Sequence, residues 1–240
     1  MIVIAVTCIT EIKNRREGFV IKKQNLRGKR ISILGDSIST HVDMRKIVPV
    51  NPVTVNNPQF YRDSFPIEKT YWMRLIDNLG MKLCVNNAWS SGRLSGVDNE
   101  NSGMNRARYL ASDNGEIPDL IVVFMGINDL GSGVDAAIFA SDYDTALRTI
   151  KAMYPKAMVC CINIPDRDRL LRARALSFNE AIDKAVLNAG DNFFVADLFH
   201  SRLNNDFYYM NTVDGLHPDE DGMMIIAEIV QDAICAKLEV

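Results

Sequence analysis

From Lys29 to the C-terminus, short apolar runs alternate with longer stretches of helical period, and this rhythm limits the possible folds more than any other feature. The runs are ISIL (31–34), KLCVNN (82–87), LIVVFM (120–125), AMVCCIN (157–163) and FFVADL (193–198). They are brief, rich in β-branched and aromatic residues, and nearly without polar alternation, as strands covered on both faces are. Between them, KTYWMRLIDNLG closes on Gly80, a helix C-cap. DYDTALRTIKAMYP sets Tyr143, Ala146, Leu147, Ile150 and Met153 on one face and stops at Pro155. RALSFNEAIDKAVLNAG ends similarly at Gly190, and a last helix begins near Pro218 with three acidic residues in its first turn. Repeated strand–helix units predict an open parallel sheet with helices on both faces and right-handed crossovers. In such sheets ligands bind beyond the carboxyl ends of the strands.

A chain of 240 residues suits one medium domain with a well-buried core. The formal net charge of −3 gives no basic footprint for nucleic acid or an anionic membrane. The five cysteines, Cys8, Cys84, Cys160, Cys161 and Cys235, are too scattered for a zinc pattern and read as buried, reduced thiols.

Two segments fall outside the rhythm. The start, MIVIAVTCIT, lacks the positive n-region and cleavage site of a signal peptide, and EIKNRREGF follows too soon for a membrane span. Residues 1–28 are read as an N-terminal extension, either a strand or hairpin or a poorly ordered or misassigned leader, ahead of a domain over 29–240. A cytoplasmic location is the default expectation. Residues 43–68 carry four prolines and little periodicity, and a connection so long is usually functional or disordered. Because it follows Ser37 directly, it is placed to overhang whatever site Ser37 occupies.

Four element ends share a polar or glycine-rich sequence immediately after an apolar run: GDS (35–37), NNAWSSG (86–92), GIND (126–129) and the loop DGLHP (214–218). A parallel sheet brings such ends to one edge. Each is weak alone, since Gly-Asp-Ser arises by chance in about one chain in twenty of this length. Ser37 reads equally as a helix N-cap, Asn128 and Asp129 as turn residues, Gly92 as a loop glycine, Asp214 as a cap and His217 as a packed histidine.

Together they hold what acyl transfer requires. A serine hydroxyl is a weak nucleophile unless a base takes its proton, and His217 has a suitable pKa. Asp214, three residues earlier, is close enough to accept the Nδ1 proton and fix the tautomer. Pro218 biases His217 towards extended backbone, keeping the ring on the loop. The backbone N–H groups of Ser37 and Gly92 and the Asn128 amide are candidate oxyanion donors.

ILGDSIS, NNAWSSG, MGIND and DGLHP, in this order, resemble the four signature blocks of the SGNH (GDSL-type) hydrolases. The resemblance runs from about Lys29 to the C-terminus. It implies a three-layer α/β/α, flavodoxin-like fold with five parallel strands, and a serine esterase or lipase activity without metal or cofactor. It also implies Ser37, Asp214 and His217 as triad, with Ser37, Gly92 and Asn128 forming the oxyanion hole. Ile38 replaces the leucine of the GDSL name, and Ser90 and Ser91 complicate the alignment of Gly92. The expected substrate is a small-molecule or carbohydrate ester, with a short-chain or acetyl esterase preferred over a lysophospholipase or thioesterase. A catalytically silent binding module is the alternative of another class. The sequence does not set an oligomeric state.

Asp36, Trp89, Arg93 and His41 are candidate substrate contacts. Each has a bland alternative: turn orientation for Asp36, packing for Trp89, solvation for Arg93, and a loop position for His41, which as a rival base four residues after Ser37 lacks an acidic partner placed like Asp214. His200 reads as structural and Trp72 as core. No G-x-S-x-G elbow and no phosphate-binding glycine loop is present.

Overall fold

The computed structural model describes residues 26–41 and 65–238. Most of the N-terminal extension and of the 43–68 segment lies outside the described residues. Five strands form one sheet: β1 (Arg30–Gly35), β2 (Lys82–Ala88), β3 (Leu120–Phe124), β4 (Met158–Ile162) and β5 (Phe193–Ala196). All neighbours are parallel, in the order β2-β1-β3-β4-β5. This is the flavodoxin-like order, whose switch point falls between β1 and β3, where the chain turns from building one side of the sheet to the other. Every predicted strand is present within a residue or two of its apolar run.

The strands form because their side chains are covered from both sides. Ile31, Ile33 and Leu34 of β1 and all of β3 are buried. Ser32, the polar exception in β1, donates from Oγ to the Leu110 carbonyl at 2.8 Å, so its burial leaves no unpaired hydroxyl. β5, at the sheet edge, is only half-buried in its middle.

The helices are α1 (Tyr71–Leu79), α2 (Gly103–Arg106), α3 (Ile127–Gly131), α4 (Ala136–Met153), α5 (Arg172–Ala189), α6 (Asn205–Met210) and α7 (Glu220–Lys237). α1 packs with α7, and α4 packs with α5, giving the two outer layers; β5 touches both α5 and α7. Thr70 caps α1 by accepting from the Met73 N–H, and Gly80 ends it in the left-handed region at φ 65°. Asp219 caps α7, with Glu220 and Asp221 in the first turn where the helix dipole favours them.

One face assignment is corrected. Tyr143, Ala146, Leu147 and Ile150 are buried along α4, but Met153 is 53% exposed. It is the last residue of the helix, and the last turn buries Ile150 and leaves Met153 on the outer side. Trp72 is fully buried, and Cys84, Cys160, Cys161 and Cys235 are buried free thiols. No helix among the described residues is long and apolar enough to cross a membrane.

The register explains the position of the site. Gly35, the last residue of β1, pairs with Ala88 of β2 on one side and Phe124 of β3 on the other. The loops that follow the three strands therefore leave the sheet side by side.

Candidate active site

A tight turn after β1 presents Ser37, and its neighbours dictate that turn. A Cβ on Gly35 would stand 2.3 Å from Ser39 Oγ, so the strand can fold back on itself only at glycine. Asp36 accepts the Ile38 N–H on its carboxylate at 3.0 Å and the Ser39 N–H on its carbonyl at 3.0 Å, starting one turn of 3₁₀ helix over Ser37–Ser39. Ser39 Oγ meets Tyr71 Oη at 2.7 Å, and Asn86 Nδ2 donates to the Ser39 carbonyl at 3.0 Å. The turn is thus tied to α1 and β2.

His217 arrives from a loop 180 residues away and stands over this turn, its Nε2 2.8 Å from Ser37 Oγ. Its Nδ1 is 2.8 Å from Asp214 Oδ2, and the other Asp214 oxygen accepts the His217 N–H at 2.8 Å and the Leu216 N–H at 3.0 Å. A carboxylate only accepts, so Nδ1 carries the proton and Nε2 is left to accept from the serine hydroxyl. The loop is shaped by Gly215 at φ 84°, by the Tyr208 hydroxyl on the Leu216 carbonyl at 2.7 Å, and by the Thr212–Pro218 bridge.

Burial lowers the pKa of His217 below its ordinary 6.5 against the pull of Asp214, which leaves the imidazole neutral at pH 7. Burial alone would raise Asp214, but the hydrogen bonds from His217 and Leu216 outweigh it and hold the carboxylate ionised.

Asn128 is the second residue of α3, which follows Gly126, whose φ of 122° turns the chain out of β3. Asn128 Nδ2 donates to the Gly92 carbonyl at 3.0 Å and lies 3.4 Å from Asp36 Oδ2. Asn128, Gly92 and the Ser37 turn are therefore neighbours. The Gly92 N–H itself bonds the Trp89 carbonyl at 2.9 Å in a turn that holds Ser91 at φ 60°. A Cβ on Gly92 would stand 2.8 Å from that carbonyl and 3.1 Å from Arg106 Nη2, so the position accepts no side chain.

Of the remaining candidates, Asp36 is buried, and burial pushes its pKa up to about 7. Trp89 and Arg93 are half-buried. Arg93 lines an open cleft of about 680 Å³ between the loop after β2 and the start of α4, with Ser95, Asp98, Asp135 and Asp142 also in its walls. His41 is 1% exposed, with Nε2 2.8 Å from the Phe65 carbonyl. His200 is exposed at the surface and pairs with Asp197 at 2.8 Å. Among the described residues no group of three or more His, Cys, Asp or Glu side chains is placed to hold a metal ion.

The profile of the GDSL-like lipase/acylhydrolase family matches residues 33–225, most of the chain and all four loops. The chain belongs to that family. As a GDSL-type protein it is an ester-bond hydrolase. No curated protein sequence matches it. Among solved structures, a protein assigned as a GDSL-like lipase from Bacteroides ovatus superposes with a TM-score of 0.65 at 22% identity, covering 85% of this chain and 97% of the other. A family 2 carbohydrate esterase with a carbohydrate-binding domain from Corynascus thermopiles gives 0.60 at 20% identity, over 88% and 67%. A psychrotrophic esterase from Pseudoalteromonas, inhibited by monoethylphosphonate, gives 0.57 at 16% identity, over 88% and 100%. At these identities the likeness speaks for the fold.

Two buried residues beside these loops were not anticipated from the sequence. Asp129, read as a turn residue, is fully buried and accepts the N–H groups of Leu94 at 2.7 Å and Ser95 at 2.9 Å. It ties the loop after β2 to the loop after β3, and the only sequence signal was its position beside Asn128. Arg106 is fully buried and donates to the Gly35 carbonyl at 3.1 Å, and nothing in GMNRARYL distinguishes it from Arg108.

Proposed function

We propose that this ester hydrolase works through an acyl-enzyme on Ser37 and favours short-chain, especially acetyl, esters of carbohydrates. Ser37 Oγ attacks the ester carbonyl carbon while His217 Nε2 takes the hydroxyl proton, and Asp214 stabilises the imidazolium. The negative charge moves to the carbonyl oxygen, where the Ser37 N–H and Asn128 Nδ2 are the donors. The Gly92 N–H joins them on rotating away from the Trp89 carbonyl. Collapse breaks the bond to the alcohol, which leaves with the proton from His217. Water then attacks the acyl carbon, His217 takes its proton and returns it to Ser37, and the acid departs.

The observation that carries this reading is the unbroken relay from Asp214 Oδ2 through His217 to Ser37 Oγ, two contacts of 2.8 Å each. A relay in place before substrate binds supports an active enzyme over a silent binding module. The acetyl and carbohydrate preference draws support from the shared fold of a family 2 carbohydrate esterase. Comparing p-nitrophenyl acetate with p-nitrophenyl octanoate, and both with an acetylated xylose or cellobiose, tests it. The acetyl esters should show the higher kcat/KM. A preference for octanoate would move the assignment to lysophospholipase or thioesterase chemistry.

A further inference from the structure

Arg106 closes α2 and is fully buried, yet among the described residues it forms no ion pair. Its donors go to backbone instead. Nη2 bonds the Gly35 carbonyl at 3.1 Å, Nη1 bonds the Asn87 carbonyl, and Nε bonds the Asn101 carbonyl at 2.9 Å. Nη2 also lies 3.6 Å from Met125 Sδ, just past the end of β3. One planar fork therefore clasps the carboxyl ends of β1 and β2 where they meet β3.

Burying a guanidinium without a carboxylate is costly, and an apolar side chain of similar volume fills such a space without that cost. The positive charge is thus the feature to account for, and its surroundings are those of the reaction. Gly35, which it holds, is two residues before Ser37, and the same carbonyl accepts the Trp89 N–H at 3.1 Å. The Gly92 position abuts Nη2. Burial lowers the Arg106 pKa to about 10, so it stays charged at neutral pH, and its field opposes the burial that raises Asp36. The other titratable groups coupled to Asp36 are Asp129, Tyr71 and Tyr208, none of which supplies a positive charge at neutral pH.

We propose that Arg106 is a positioning residue of the hydrolytic reaction: clamped on the Gly35 and Asn87 carbonyls, it fixes the Ser37 turn against Gly92 and holds a positive charge beneath the donors that meet the oxyanion. A field fixed before reaction acts most strongly where charge develops, so its loss lowers kcat more than it raises KM. This inference rests on Ser37 being the nucleophile.

The test compares Arg106→Met, Arg106→Lys and Ser37→Ala with the wild type on p-nitrophenyl acetate, alongside circular dichroism and thermal melts. Arg106→Met is expected to lose about 10²-fold in kcat with KM within about threefold. Arg106→Lys, which keeps the charge but not the fork, should recover at least about tenfold of that loss. Folded Arg106 variants with wild-type kcat, a lysine variant no better than methionine, or failure of both to fold would each reduce Arg106 to packing and overturn the proposal. If Ser37→Ala equals the wild type, the nucleophile assignment falls, whatever the Arg106 variants do.

Discussion

Alanine at His217 is expected to lower kcat by about 10³- to 10⁶-fold with little change in KM. The imidazole is the acceptor in contact with Ser37 Oγ, and its loss leaves the hydroxyl to attack with its proton in place. The loop should survive the substitution, since Tyr208, Asp214 and the Thr212–Pro218 bridge hold it through backbone groups. A matched melting temperature would separate chemistry from stability. With His217 as the proposed base, the same residue is expected to set the acid limb of the pH profile. A base must be neutral, burial lowers the His217 pKa, and activity should therefore persist on acidification through pH 7 and fall only below about pH 6.5. A limb centred near pH 7 that disappears in Asp36→Asn would transfer control to the Asp36 carboxyl.

Asn128→Ala is expected to cost about 10²- to 10³-fold in kcat, the usual effect of removing one oxyanion donor. Two features make the loss large. The amide is already oriented by the Gly92 carbonyl at 3.0 Å, and its contact with Asp36, at 3.4 Å, is long enough to yield an N–H to a stronger acceptor. Asn128→Asp should do worse than alanine, because it sets a second carboxylate against Asp36 where negative charge develops. Steady-state kinetics on p-nitrophenyl acetate check both, and wild-type kcat in Asn128→Ala would remove this side chain from the oxyanion site.

The sheet was legible in the sequence because strands covered on both faces tolerate few polar residues, and ISIL and LIVVFM have almost none. Helix ends were legible where a glycine takes a backbone conformation other residues resist, as at Gly80 and Gly190. The short helices α2, α3 and α6 were not, since four to six residues show no periodicity. The polar residues at strand ends could be read as one site because parallel topology fixes where strand ends go. Arg106 and Asp129 could not, because their work is done on backbone carbonyls and N–H groups, which leave no residue type to recognise. The direction of the Gly92 N–H is a property of the turn at Ser91, whose positive φ no serine advertises.

The most direct measurement is the intact and peptide mass of the protein after brief exposure to a fluorophosphonate. A phosphonate mimics the tetrahedral intermediate and reacts with an activated serine, and a relative of this fold is inhibited by monoethylphosphonate. The account predicts a single adduct on the peptide carrying Ser37, absent in Ser37→Ala and formed far more slowly in His217→Ala. An unlabelled protein, or an adduct on another serine such as Ser90 or Ser91, would contradict it.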